Sequence, residues 1–235
     1  MKYIISIALF ILLALPAVSQ ILDETKGLKG QLQLGLSFNT VSYHIYYDKI
    51  DNSEELAFAH FSPLSLNIGY NLSERTNVQL GIAYGGSENQ YSWVPGTSDT
   101  LILNSSGKTN VFALPITVRH TVIKAYKRFP VYATLTVMPA WGSTRTIIEE
   151  TRHGINSVTV DRRDTGVNTF VTAGFGFNYK ISKSINGFFE YHAFKHNLTG
   201  ENSVFYDWDQ GARGLYKFFR TIGFGVNYDL KRKEG

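Results

Sequence analysis

The C-terminal stretch from Leu215 to Leu230 alternates between two kinds of residue. Apart from Arg220, the even positions from Phe218 onward are large and apolar or aromatic, and the odd positions from Thr221 onward are Thr, Gly, Asn or Asp. A side-chain period of two predicts a β-strand with two chemically different faces. About ten such residues, tilted by about 45°, are long enough to cross the hydrocarbon of a bilayer.

Seven earlier segments show the same alternation and predict seven further strands. They span residues 28–39, 64–70, 78–84, 112–119, 131–137, 171–179 and 185–192. The connections alternate in length, with long segments at 40–62, 85–108, 142–166 and 194–214 and short turns at 71–76, 123–130 and 181–184. Within the third long segment, residues 146–161 indicate two strand extensions that meet near His153 and Gly154. Short turns at one rim and long loops at the other are typical of outer-membrane barrels.

The alternation does not say which face of the strands points inward. In a secreted lipocalin-like barrel the apolar face would line the interior, and in a membrane barrel it would face lipid. The polar face consists mainly of Gln, Asn, Ser, Thr and Gly, with few Lys or Glu, which is a poor composition for a water-exposed surface. We therefore favour the membrane barrel, whose eight strands would leave an interior just filled by side chains.

The closing strand also contains a glycine, then an aromatic and a final large apolar residue at Gly225, Tyr228 and Leu230. With residues 114–119 (LPITVR), it resembles the small bacterial outer-membrane β-barrel domain family. The resemblance implies an all-β, eight-stranded antiparallel up-and-down transmembrane β-barrel in the outer membrane of a Gram-negative bacterium. It also implies contacts with outer-membrane lipid and lipopolysaccharide, with the barrel-assembly machinery, and with an envelope protein through the loops. The fold hosts adhesins, plugs, lipid enzymes and secretion components, so it implies no particular activity.

The N-terminus predicts export. One lysine precedes an apolar run from Ile4 to Leu15, and Pro16 and small residues follow, so residues 1–19 are predicted to be a signal peptide cleaved after Ser19. Residues 20–235 then form the barrel domain. The chain has no cysteine, which excludes disulfides and a lipid-anchored cysteine. Its formal net charge of +4 is far from a nucleic-acid-binding excess, and export makes a nucleic-acid partner still less expected.

Two opposite charges fall on the predicted interior face, Arg119 on the fourth strand and Glu190 on the seventh. These strands lie roughly opposite each other in an eight-stranded barrel, so the two side chains are predicted to pair across the lumen. A proton or ion path would use such a pair, and so would a structural plug. We favour the plug, because small barrels fill their interior with side chains.

A weaker candidate for catalysis lies where the seventh strand enters the fourth long segment, at His192, His196, Thr199 and Glu201. Lipid A deacylases resemble this barrel and place a serine two residues after the histidine. Here Phe194 and Leu198 occupy those positions, so the expected nucleophile is missing. The histidines are scattered, so no metal site is predicted, and no cofactor is predicted.

Basic residues gather in the outer segments and at the start of the last strand. They are Lys108, Arg145, Arg152, Arg162, Arg163, Arg213, Lys217 and Arg220. Arginine is well suited to gripping the phosphates of outer-leaflet lipid, so these residues are candidates for lipopolysaccharide contact. Nearby acidic residues leave an ordinary solvated loop as an equal alternative. The predicted function is therefore a non-catalytic barrel that acts through its outer segments. The alternatives are a lipid A acyl-chain enzyme and a passage for small apolar solutes.

Overall fold

The computed structural model describes residues 29–47, 59–94, 101–125, 129–199 and 215–230. The predicted signal peptide, Glu201, Arg213 and residues 231–235 lie outside these ranges. The described strands are β1 (Leu32–Asn39), β2 (Tyr43–His44), β3 (His60–Phe61), β4 (Leu64–Asn71), β5 (Thr76–Trp93), β6 (Leu101–Ala113), β7 (Ile116–Ala125), β8 (Phe129–Arg152), β9 (Ile155–Lys180), β10 (Ile185–Asn197) and β11 (Ile222–Asp229). A short helix, α1 (Leu215–Phe219), precedes β11. No helix among the described residues is long and apolar enough to cross a membrane.

The strands form one closed antiparallel ring. Going round it, β1 is followed by β4, β5, the pair β6 and β7, then β8, β9, β10 and β11, and β11 returns to pair with β1 from Gln33–Asp229 to Asn39–Gly223. Both β6 and β7 lie between β5 and β8, so they are two halves of one wall strand interrupted at Pro115, which has no N–H to donate. The predicted eight-stranded antiparallel fold is confirmed.

Burial settles which face points outward. In β5, Leu80 is 59% exposed on the outside of the ring, whereas its neighbour Gln79 is 3% exposed and faces the lumen. The same alternation holds around the wall, with exposed Leu, Ile, Val, Phe and Tyr outside and Ser, Thr, Asn and Gln inside. The lipocalin-like alternative places these faces the other way round and is wrong.

Two of the segments expected to be long loops are largely strand. Residues 85–93 extend β5, 101–108 begin β6, and most of 142–166 belongs to β8 and β9. These extensions pair with one another beyond the ring and form a four-stranded sheet, which we call the outer sheet. Backbone hydrogen bonds between neighbouring strands stabilise this sheet, and such bonds form whether or not apolar and polar side chains alternate. The polar composition of residues 85–108 therefore gave no sign of a strand.

The outer hairpin of β8 and β9 turns at His153 and Gly154, where the two extensions were predicted to meet. Both residues have positive φ angles, 52° and 79°. Two residues of this kind form the type I′ turn, whose twist matches that of the flanking strands. The register at this end is defined by the pair Arg152 and Ile155.

The closing strand begins later than the alternation predicts. Residues 215–219 are helical, and β11 starts at Ile222. The ring of Phe218 stacks on Tyr191 of β10 at 5.5 Å, and the Thr221 hydroxyl donates to the Phe218 carbonyl at 2.5 Å. The spacing of Phe218, Arg220 and Ile222 is compatible with a strand. Residues 215–219 nevertheless form a helix that packs on the outside of β10. Ile222 is buried, although its position in β11 faces outward.

Candidate functional site: the lumen and the outer rim

The centre of the lumen contains the predicted ion pair. Arg119 of β7 donates from Nε to Glu190 Oε1 of β10 at 2.8 Å, and the two residues are 7% and 6% exposed. The guanidinium also lies over two aromatic rings, 4.0 Å from the centre of Phe188 and 5.4 Å from the centre of Tyr132. Contacts of a desolvated cation with aromatic faces contribute about 2 kcal/mol. The pair is therefore held by neighbours on both sides and does not stand in an open channel.

Close packing explains one glycine of the closing strand. A Cβ atom at Gly225 would lie 2.7 Å from the Phe188 ring and closer still to the Leu36 carbonyl oxygen. The absence of a side chain at this position lets Phe188 reach the guanidinium of Arg119. Of the other closing-strand residues, Tyr228 is exposed on the outside, and the Leu230 amide donates to the Leu32 carbonyl at 2.9 Å.

His192 extends the central cluster toward the outer end. Its Nε2 atom lies 3.2 Å from Asn39 Nδ2 and 4.0 Å from Glu190 Oε2. The Asn39 amide also donates to the Tyr43 hydroxyl at 3.0 Å. His192 is 3% exposed, and its Nδ1 atom has no hydrogen-bond partner among the described residues. The histidine is thus a buried lumen residue.

The end of the lumen near the short turns is closed by amides and one carboxylate. Asp229 accepts from Gln33 Nε2 at 2.7 Å and from Asn186 Nδ2 at 2.8 Å. Asn77 Nδ2 donates to Asn71 Oδ1 at 2.8 Å and to Gln33 Oε1 at 3.2 Å. Because these bonds link side chains from β1, β4, β5, β10 and β11, they tie the wall strands together across the interior.

The other end is closed by a plug, which we define as the described parts of residues 41–47 and 59–62, including β2 and β3. Its apolar side chains pack on small or apolar lumen-facing residues of β5, β6, β8 and β9. The rings of Tyr43, Phe61 and Phe170 contact one another with centroids 5.1 to 5.8 Å apart. The members of this core are Val41, Tyr43, Ile45, Ala59, Phe61, Ala83, Val111, Ala113, Met138, Ala140 and Phe170.

Between the plug and the ion pair lies a cavity of about 50 Å³. Its lining is mostly polar and includes Ser65, Asn67, Thr117, Glu190 and His192. A space of this volume and polarity suits one or a few water molecules. It is too small and too polar for an apolar solute.

The structure does not bring the two rim histidines together. β10 has an irregularity between His192 and Phe194, where the register with β9 shifts by one residue. An extra residue in a strand moves every later side chain to the opposite face. His192 consequently faces the lumen, whereas His196 lies on the outside with its ring 6.0 Å from that of Phe194.

The hydroxyl that follows the rim histidines in the sequence, that of Thr199, has a structural role. Thr199 Oγ1 donates to Asn197 Oδ1 at 2.8 Å and accepts from the Thr169 amide at 3.1 Å. Neither contact involves a histidine. Glu201, the fourth candidate of this cluster, lies outside the described residues. Among the described members of this rim cluster, the contacts of Thr199 therefore do not link a hydroxyl to an imidazole, a link that a nucleophilic mechanism requires.

The basic candidates fall into separate places. Lys108, Arg145 and Arg163 lie side by side on the exposed face of the outer sheet. Arg162 is on the other face, 2.9 Å from Asp164, and Arg152 lies beside the hairpin turn, 3.0 Å from Glu150. Arg220 follows α1, nothing is described of the Lys217 side chain, and Arg213 lies outside the described residues.

The plug and the two aromatic rings beside the Arg119 guanidinium were not predicted from the sequence. Residues 40–62 were expected to form a polar loop, although Val41, Tyr43 and Ile45 alternate with other residues as in a strand. That short alternation was the available sign of the plug. Among the described residues, no group of three or more His, Asp or Glu side chains is arranged to hold a metal ion.

Comparison with known proteins gives similarity in structure and none in sequence. No protein-family model and no curated protein matches the chain. Among solved structures, it is similar to Ail, the attachment invasion locus protein of Yersinia pestis (TM-score 0.36, 10% identity, 86% of this chain and 99% of that one). It is also similar to a major outer membrane protein of Thermus thermophilus (TM-score 0.42, 9% identity, 85% of this chain and 99% of that one). A third similar structure is CarO2 of Acinetobacter baumannii (TM-score 0.29, 11% identity, 85% of this chain and 98% of that one). The structural neighbours are bacterial outer-membrane β-barrel proteins. With TM-scores below 0.5, the fold assignment rests on the ring of strands itself.

Proposed function

We propose that the chain is a non-catalytic protein of the bacterial outer membrane, with a closed lumen and an outer sheet that contacts other components of the envelope. The observation that supports the membrane location is the inverted polarity of the ring. A continuous exterior of exposed Leu, Ile, Val and Phe is unstable in water but suits lipid. The polar interior, which would be the surface of a soluble barrel, is buried.

Aromatic residues support the position of the outer rim. Cross-strand partners on the outside form a row from Phe38 through Leu64, Tyr84 and Phe112 to Trp141. We call this the aromatic row. Tyr70, Tyr179 and Tyr228 are exposed near the short turns. Aromatic girdles at two heights are expected where a barrel crosses the two membrane interfaces.

The outer sheet supports a role in interaction. All four strands are paired as far as the row Trp93, Leu103, Glu150 and Ser157, well beyond the aromatic row. The strands β6, β8 and β9 stay paired to Leu101, Arg152 and Ile155. At its tip, Ile155 is 73% exposed and Val158 is also exposed. Apolar side chains held in the open on a rigid sheet are typical of contact surfaces.

A shortened hairpin should test this function in cells. Replacing residues 149–159 by Asn-Gly joins the paired residues Ile148 and Val160 with a tight turn and leaves the ring unchanged. We expect cells with this variant to become as sensitive to vancomycin and bile salts as cells lacking the gene, because the tip of the outer sheet is gone. The measurement is growth inhibition, with barrel abundance checked by heat-modifiable gel mobility.

A second variant in the same cells distinguishes the non-catalytic function from the enzyme alternative. His192→Gln/His196→Ala removes both rim imidazoles, and we expect wild-type resistance and an unchanged lipid A mass spectrum. Loss of one acyl-chain modification in this variant would establish the enzyme alternative. Full resistance in cells with the shortened hairpin would exclude a role for the tip.

A closed lumen also predicts the electrical behaviour of the purified protein. In planar bilayers we expect no conductance steps, because the plug, the Arg119–Glu190 pair and the Asp229 network block the interior in series. Eight-stranded rings enclose little more than their own side chains. Reproducible steps from folded, pure protein would contradict the closed lumen and favour a passage.

A further inference from the structure

Three cations occupy one row across the outer sheet. Lys108 of β6 pairs directly with Arg145 of β8, and Arg145 pairs with Arg163 of β9. All three are exposed, while the flanking residues Thr109 and Thr144 are buried on the opposite face. Directly opposed side chains in antiparallel strands have Cβ atoms about 5 Å apart, and like charges there are destabilising. The row, which we call the basic row, therefore requires negative charge nearby.

The protein supplies only part of that charge. Arg145 donates two hydrogen bonds to Asp161, one from Nε to Oδ1 at 2.9 Å and one from Nη2 to Oδ2 at 2.7 Å. These bonds lower the pKa of the Asp161 carboxyl, so the pair stays ionised. Arg163 Nε donates to the neutral hydroxyl of Ser143 at 2.9 Å. Glu88 is the cross-strand neighbour of Lys108. Within the described residues, no carboxylate lies within 4.0 Å of the Lys108 or Arg163 side-chain nitrogens.

The height of the basic row matches a lipid headgroup. It lies four residues outward of the aromatic row, since Phe112 pairs with Trp141 and Lys108 pairs with Arg145 in the same ladder. Four residues rise about 13 Å along a strand, or about 9 Å in height at a tilt near 45°. Each headgroup layer of a bilayer is about 5–8 Å thick. The backbone of the basic row therefore lies at about the outer edge of the headgroup layer, and the long side chains of Lys and Arg can reach back from there to the lipid phosphates.

We propose that Lys108, Arg145 and Arg163 bind the phosphate groups of an outer-leaflet glycolipid, and that Asp161 orients the Arg145 guanidinium for this contact. The proposal rests on the membrane location proposed above. Nη1 of Arg145, the terminal nitrogens of Arg163 and the ammonium of Lys108 provide a set of donors that suits phosphate oxygens. Arg162 and Arg152 have no part in this site, because they pair with carboxylates elsewhere.

Binding of purified lipid A tests the site. Detergent-solubilised, folded protein is titrated with bisphosphorylated lipid A and with the same lipid stripped of phosphate, and bound lipid is measured by native mass spectrometry. The test variant is Lys108→Gln/Arg145→Gln/Arg163→Gln. The control is Arg75→Gln/Lys180→Gln/Lys183→Gln, which removes the same charge at the short-turn rim.

We expect the test variant to bind bisphosphorylated lipid A about tenfold more weakly than wild type, since three charge-assisted contacts are lost. The control should bind like wild type, and the phosphate-free lipid should not distinguish the three proteins. Equal binding by test and control variants would overturn the proposal, as would displacement of the lipid by inorganic phosphate alone. Folding into lipid vesicles is measured first, because failure there would refute the membrane location, whereas equal binding by folded proteins would refute only this site.

Discussion

Replacement of Arg119 by methionine is expected to lower the free energy of unfolding by about 3–5 kcal/mol, because Glu190 would remain buried without its partner. The two side chains are joined at 2.8 Å in an interior where both are almost fully shielded from water. The loss of the contact between the guanidinium and the Phe188 ring adds to the effect. Urea unfolding in detergent micelles, followed by tryptophan fluorescence, measures it.

Two controls separate the buried charge from side-chain volume and from ion pairing in general. Arg119→Met/Glu190→Leu removes both charges and should recover most of the lost stability. Arg145→Met breaks an ion pair that has two hydrogen bonds but whose side chains are 59% and 47% exposed, and it should cost less than about 1 kcal/mol. A small and equal effect of Arg119→Met and Arg145→Met would show that the lumen is well hydrated and not closed.

Leu80→Arg is expected to impair folding into phospholipid vesicles by about 2–4 kcal/mol, the cost of a cation near the middle of the bilayer. Leu80 is exposed on the outside of the ring, between the two aromatic levels, and has Ile68 and Ile116 as cross-strand partners. These apolar partners cannot compensate the charge. Equilibrium unfolding from vesicles gives the difference in free energy.

Leu80→Met is the matched control, since it keeps an apolar side chain of similar volume and should change stability little. A soluble barrel with an exposed apolar surface would respond in the opposite way. In that case Leu80→Arg would leave the fold intact and raise solubility without detergent. Such a result would refute the membrane location, and with it the proposed lipid contact.

The sequence predicts the ring well because lipid and a filled interior impose opposite chemistry on alternate residues. Leu80 beside Gln79 is an example of this constraint. Arg119 and Glu190 could also be placed on one face by counting in twos. The break at Pro115 leaves the alternation in phase, and the register shifts of both strands come after these two residues. The alternation of apolar and polar residues, together with the order of the strands, was therefore sufficient to predict the ion pair at the centre of the lumen.

The same counting fails where its physical basis is absent. The register shift before Phe194 needs no particular residue, so the separation of His192 from His196 could not be inferred from their spacing. The outer sheet is wet on its outside and has no lipid-facing stripe, so its polar strands resembled loops. Residues 215–219 became helical because Phe218 packs on Tyr191, a contact between parts of the chain that alternation does not describe.

The order of strands around the ring has a consequence for how the protein is assembled. Every neighbouring pair of wall strands is consecutive along the chain except β11 and β1, which come from opposite ends. Local hairpins can form with little loss of chain entropy, whereas a contact between distant segments forms slowly. The β8–β9 hairpin, with its tight turn, is thus suited to start folding. Because the β1–β11 seam joins opposite ends of the chain, we expect it to close last, and until then β1 and β11 each have an edge whose backbone N–H and C=O groups are unpaired.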